Sequence, residues 1–211
     1  MLRLLSLMAM VSFLISSCQK ERGFADEFLN NPPDDTPGNI NLNGNWRFVG
    51  QSAHTGTTIE YNDFGEHNRL ESEMDYISKN PVGTFNFTSN KMSINNVGYL
   101  LQGVVTMRTW LDGTLVSEMT DDVEEVIPPG SNNATFRKIG TDSLSFDGAP
   151  MDLPSYLDGP VMPNMKMGAK YYMSNDTLYM RFRFNEALEI PDPSMDGDLQ
   201  LFGDIVIALK K

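Results

Sequence analysis

The 211-residue chain holds one cysteine, two histidines and two tryptophans, and each scarcity excludes something. A single thiol forms no intramolecular disulfide, so stability has to come from an apolar core. His54 and His67 lie in polar, loop-like sequence, a poor setting for haem ligands, and no HExxH, P-loop or G-x-S-x-G motif occurs. The zinc-hydrolase, nucleotide-phosphate and serine-hydrolase signatures are therefore missing, and the chain reads as non-catalytic. Basic side chains are also few: 16 Lys and Arg against 28 Asp and Glu leave a net charge of −12. That balance repels nucleic acid and anionic headgroups. Long apolar runs are absent too, since residues 4 to 15 fall short of the roughly 20 a spanning helix needs.

What is present begins with that run. MLRLLSLMAMVSFLISSC has one basic residue (Arg3), an apolar stretch, then Ser16 and Ser17 before Cys18, the layout of a secretory signal. The ISSC segment resembles a bacterial lipobox. The resemblance implies that residues 1–17 are a lipoprotein signal peptide and that Cys18 is lipidated, tethering the protein to a membrane without spanning it. Several acyl chains anchor far more firmly than one. Gln19 rather than aspartate follows the cysteine, which by similarity to sorted lipoproteins implies the outer membrane, on its periplasmic or cell-surface face. Residues 18–39, dense in charge, Asn and Pro, bury too little apolar area to order themselves and read as a flexible tether. Residues 40–211 then suit one domain.

That domain reads as β throughout. In DTLYMRFRF, Leu178, Met180, Phe182 and Phe184 alternate with Tyr179, Arg181 and Arg183, the period of a strand with one buried face. LQLFGDIVIALKK repeats the pattern, with Leu201, Ile205, Ile207 and Leu209 facing in. Hairpin turns are expected at Ser89-Asn90, Asp112-Gly113 and Asn175-Asp176. RLESEMDYI suits a helix face or a strand face about equally, with strand slightly preferred through Leu70, Met74 and Tyr76. The expectation is an all-β fold of about nine to eleven antiparallel strands, closed as a barrel or stacked as a β-sandwich.

NLNGNWRFVG places a Gly-x-Trp (Gly44, Trp46) at the opening of the first strand. This position, followed by hairpin after hairpin, resembles the divergent lipocalin-like lipoproteins. The resemblance implies a lipocalin-like barrel with Trp46 near its closed end, a late basic side chain (Arg183 or Lys210) over the indole, and a small apolar or amphipathic ligand inside. The Thr-Asp-Tyr turn of true lipocalins is missing, the nearest text being Thr120-Asp121-Asp122.

Alternation nominates Phe85, Phe87, Met92, Ile94, Met107, Met180, Phe182 and Phe184 for the interior, as core or as ligand contacts. APMDLPSYLDGPVMPNMKMG, residues 149 to 168, has no strand period. Its Met162, Met165 and Met167 suit a loop folded over a barrel mouth, and are also spaced like thioether ligands for copper. Asp192, Ser194, Asp196 and Asp198 match the start of a calcium loop, but Gly203 stands where the bidentate glutamate belongs. No cofactor is therefore expected beyond the lipid on Cys18. Ser143 and Thr177, each after an aspartate and before leucine, resemble O-glycan acceptors and equally suit turns entering strands. The function these readings favour is a lipid-anchored envelope protein binding a small apolar or amphipathic molecule. The alternative is a non-catalytic surface protein whose loops bind a glycan or protein partner.

Overall fold

Alternating side chains punctuated by turn dipeptides fold as eight antiparallel strands, each hydrogen-bonded to the next in sequence. The computed structural model describes residues 40–63, 65–148, 150, 166–189 and 197–211. The strands are β1 (Gly44–Asp63), β2 (Glu66–Phe87), β3 (Lys91–Leu111), β4 (Thr114–Ile139), β5 (Ser143–Phe146), β6 (Met167–Ser174), β7 (Thr177–Glu189) and β8 (Gly197–Lys210). Because β1 pairs with β8 as well as β2, the sheet closes into an up-and-down barrel and not a sandwich.

The turns fall where their residues permit them. Asp112 and Gly113 both take positive φ, 47° and 76°, as a tight two-residue hairpin turn demands. Asn175 does the same at φ 54°, and Thr88 N–H donates to the Lys91 carbonyl at 2.9 Å around Ser89-Asn90. RLESEMDYI is strand, with Leu70, Met74 and Tyr76 turned inward beside Thr109, Val105 and Gly103.

The strand count corrects the sequence expectation, eight instead of nine to eleven. LVSEMTDDVEEV and ATFRKI are one strand, β4, running through Pro128, Pro129 and Gly130. The prolines sit where the register with β3 is interrupted, on an edge with no ladder partner among the described residues, so their missing N–H groups break no bond.

Unequal lengths divide the barrel into two storeys. β5 has four residues and β6 eight, and they complete the ring only at its base. β4 meets β5 over Phe136–Ile139 alone, and β6 meets β7 only as far as Phe182. The other six strands continue upward beyond that ring.

The base is filled. Phe87, Phe136, Phe146 and Phe182 form a chain of ring contacts at 6.2, 5.9 and 5.8 Å across β2, β4, β5 and β7. The Phe48 ring packs on those of Phe85 and Tyr99, with centroids 6.0 and 5.9 Å away. All but Tyr99 are almost wholly buried, and each buried ring contributes roughly 1.5–3 kcal/mol of transfer free energy. Trp46 lies among them, 1% exposed, its Nε1–H donating to the Leu42 carbonyl at 2.7 Å.

The cation over this indole is Lys211, its Nζ 4.8 Å from the ring centroid, and neither Arg183 nor Lys210. Strand parity is the reason. Arg183 alternates with inward Phe182 and Phe184, so it faces out to Asp204, and Lys210 alternates with inward Leu209 and bonds Asp176 at 2.8 Å. Residue 211 shares the parity of Leu209.

Candidate ligand site

Above the base, the inner wall can be read rung by rung from the registers. Ser78, Leu101 and Glu125 share a rung, then Tyr76, Gly103 and Val123, then Met74, Val105 and Asp121, then Ser72, Met107 and Met119. On the facing wall Thr55 and Thr57 pair with Gly203 and Leu201, with Phe184 beside Gly203. Exposure climbs along this wall. Leu101 is fully buried and Met74 is 3% exposed, whereas Met107 and Met119 reach 40% and 48%.

Two glycines on these walls allow close approach by a neighbouring strand. A Cβ on Gly203 would stand 2.3 Å from the Phe184 ring, and one on Gly103 would stand 2.3 Å from the Asp75 carbonyl and 2.7 Å from Tyr76 Cβ. The Phe184 ring thus lies over a position that glycine leaves free, and Gly103 lets the β2 backbone at Asp75 and Tyr76 come close.

A polar cluster marks the boundary between the storeys. Gln51 Nε2 donates to the Tyr76 hydroxyl at 2.6 Å, and Tyr99 lies beside Tyr76 in the same cluster. Burial raises the Tyr76 hydroxyl well above the ordinary tyrosine range. Burial, with the nearby Glu125 carboxylate, pushes Tyr99 up to about 12. Both therefore stay neutral donors at any physiological pH. Gln51 Oε1 and Thr55 Oγ1 are buried without a hydrogen-bond partner, the kind of group that a ligand hydroxyl or amide could satisfy.

The residues nominated from sequence separate into three groups. Phe85, Phe87, Met167, Met180 and Phe182 belong to the packed base, and Met92 and Ile94 join them. Met107 and the half-buried Phe184 line the upper wall. Cys18, Met162, Met165, Asp192, Ser194 and Asp196 lie outside the described residues. Asp198 is exposed on β8 between Glu60 and Glu189, and no cluster of His, Cys, Asp and Glu able to hold a metal occurs among the described residues.

The histidines stand apart on the outer wall. His54 pairs with Asp75 at 2.9 Å, and His67 approaches Glu60 at 3.8 Å higher up the same hairpin. The hydroxyls of Ser143 and Thr177 donate to the preceding Asp142 and Asp176, at 2.9 and 3.4 Å, each at the first residue of a strand.

Sequence reading missed Met119, Gln51, Tyr76 as a hydrogen-bonding residue, and Tyr99. Met119 was within reach. It and Met107 lie almost equally far from the Asp112-Gly113 turn, so pairing the hairpin outward from that turn puts them opposite each other, give or take one bulge. Gln51 was not, because the register slips between Arg47 and Ser52 change which residues face in. No family model, no curated protein and no solved structure matches this chain.

Proposed function

We propose that the protein is a lipid-anchored envelope binding protein, lipocalin-like in plan. In this reading it holds a small apolar or amphipathic molecule against the inner wall of its upper storey. Cys18 and its acyl chains tether it to the outer membrane, and residues 18–39 give the barrel reach. One observation carries the reading: methionines 107 and 119 are left accessible on the inner wall, 40% and 48% exposed, while the phenylalanines and Trp46 that fill the base are packed away. Exposed, polarizable methionines adapt to ligands of irregular shape. Beneath them, neutral tyrosines and an unsatisfied amide oxygen offer polar contacts for the head of an amphipathic molecule. Chemistry on the ligand is not part of the proposal, since neither histidine shares this wall.

A second reading, a surface protein that engages a glycan or protein partner, draws on β4. Its edge above Phe136 has no ladder partner among the described residues, and Leu115, Val116 and Val126 are exposed along it.

Native mass spectrometry on residues 39–211, prepared without detergent, separates the two. Retained mass that organic solvent removes, and that Met107→Lys with Met119→Lys abolishes, is the expected result. A clean apo mass, together with no thermal shift across a panel of fatty acids and sterols, would overturn the binding-barrel reading.

A further inference from the structure

The outer wall of the base carries a feature that the inner-wall reading does not use. β5, β6 and β7 frame a groove of about 600 Å³, lined by Ile139, Ser143, Ser145, Lys170, Tyr172, Arg181 and Arg183. Its floor is low because Ser143, Ser145 and Gly168 face outward there, with little or no side chain. Its charge is unusual for a chain of net −12. Lys170 stands directly opposite Arg181, and Arg183 follows two residues on along the same face. Like charges placed opposite each other on neighbouring strands are destabilising, so this arrangement has a cost.

One carboxylate offsets only part of it. Asp204 accepts from Arg181 at 2.7 and 2.5 Å and from Arg183 at 2.8 Å. Among the described residues the two guanidinium groups share Asp204, Lys170 has no ion pair, and Asp142, which holds Ser143 Oγ at 2.9 Å, pairs with none of the three cations. The groove is therefore left cationic. Screening limits the opposition from the acidic remainder of the surface, because charges more than about 8 Å away are strongly attenuated at physiological salt. Arg183 is 65% exposed and turns its remaining N–H groups to solvent, a fork suited to a planar or tetrahedral oxyanion.

The rest of the lining points to what carries that anion. Tyr172 stacks on Tyr179, ring centroids 5.2 Å apart and planes 18° apart, which fixes an aromatic wall at the groove's edge. Ser143 and Ser145 add hydroxyls at its floor. We propose that this groove binds an acidic saccharide, a sugar bearing a carboxylate, sulfate or phosphate. The anion would sit on Lys170 and Arg183, sugar hydroxyls on Ser143 and Ser145, and an apolar sugar face against Tyr172. This site is independent of anything held inside the barrel, since the side chains concerned face the opposite way.

The test uses the mature lipidated protein in neutral-lipid nanodiscs, with titration calorimetry against glucuronate, glucose 6-phosphate, neutral glucose and inorganic phosphate. Glucuronate or glucose 6-phosphate should bind at least tenfold tighter than glucose, and more weakly as salt rises. Lys170→Gln and Arg183→Gln should each reduce that affinity about tenfold or more. Both side chains are exposed, and Lys170→Gln also relieves the like-charge pair with Arg181, so neither variant should melt appreciably below the parent. Lys170→Arg should retain binding, and Arg69→Gln, on the far outer wall, should leave it unchanged.

Equal binding of glucose, no binding of either acidic sugar, or losses matched by Arg69→Gln would overturn the proposal. Inorganic phosphate binding as tightly as glucose 6-phosphate would overturn its saccharide part and leave a bare anion site. Binding confined to phosphatidylglycerol vesicles would assign the groove to a lipid headgroup, and would overturn the saccharide part equally.

Discussion

Tyr76 and Tyr99 are the side chains whose surroundings most change their chemistry, and the change can be read in bulk stability. Their hydroxyls are held neutral by burial, Tyr76 well above the ordinary tyrosine range and Tyr99 up to about 12. In the unfolded chain both would ionise near pH 10. Below that pH both states hold the protons, so these groups add no pH dependence. Above it the unfolded state releases protons that the folded state keeps, and stability falls as pH rises. Tyr99 alone should remove on the order of 2 kcal/mol between pH 10 and 12. Urea midpoints measured across that range should drop, with late tyrosinate absorbance at 295 nm appearing together with unfolding. Tyr76→Phe with Tyr99→Phe should flatten the drop. Early ionisation of every tyrosine while the barrel remains folded would contradict the burial of Tyr76 and Tyr99 beside Gln51.

Between strands, the unit of design is a ring laid over a missing side chain. Phe184 on β7 covers Gly203 on β8, where an added methyl would stand 2.3 Å from the ring. Gly203→Ala should therefore push the half-buried ring off its rotamer, at a cost of about 0.5–1.5 kcal/mol. Phe184→Leu in the same chain should recover much of it, and a double-mutant cycle in urea would measure the coupling. Additive effects would mean that the ring does not rest there. This pairing also marks how far sequence can be read. Phe184 was legible as inward from alternation in DTLYMRFRF, and so were Leu201, Ile205, Ile207 and Leu209. Turns at Asp112-Gly113 and Asn175-Asp176 were legible because only certain residues tolerate positive φ. The length of β4 was not, since Pro128, Pro129 and Gly130 signal a break unless an unpartnered edge is known in advance. Pairing across the barrel was also hidden. Alternation says which side chains face in, while the rung each one occupies depends on slips such as those near Gly50 and Val82. The Gln51 cluster and the cationic outer groove both arise from that long-range register.

At the scale of the molecule, the two storeys should differ in stability as they differ in packing. The base gathers almost all the fully buried large side chains, whereas the first nine residues of β4 are exposed without exception. Amide protection follows local burial and contact density, so the ring and the upper sheet should open with separate free energies. Hydrogen exchange followed by mass spectrometry should find residues 84–87, 92–95 and 178–182 exchanging only through global unfolding. Residues 103–111 and 114–122 should exchange earlier, through partial opening that leaves the base intact. An upper storey protected as strongly as the ring would argue that the sheet is rigid without an occupant. The proposed inner-wall site gives this contrast a direction. A ligand that binds the native upper wall stabilises it by mass action, so at a hundredfold excess over its dissociation constant the slowing should correspond to about 2.7 kcal/mol. That slowing should be confined to the early-exchanging strands. An acidic sugar in the outer groove should instead leave β3 and β4 unchanged above Phe136, because β5, β6 and β7 frame its site. Exchange in the presence of each ligand would therefore separate the two sites within one protein.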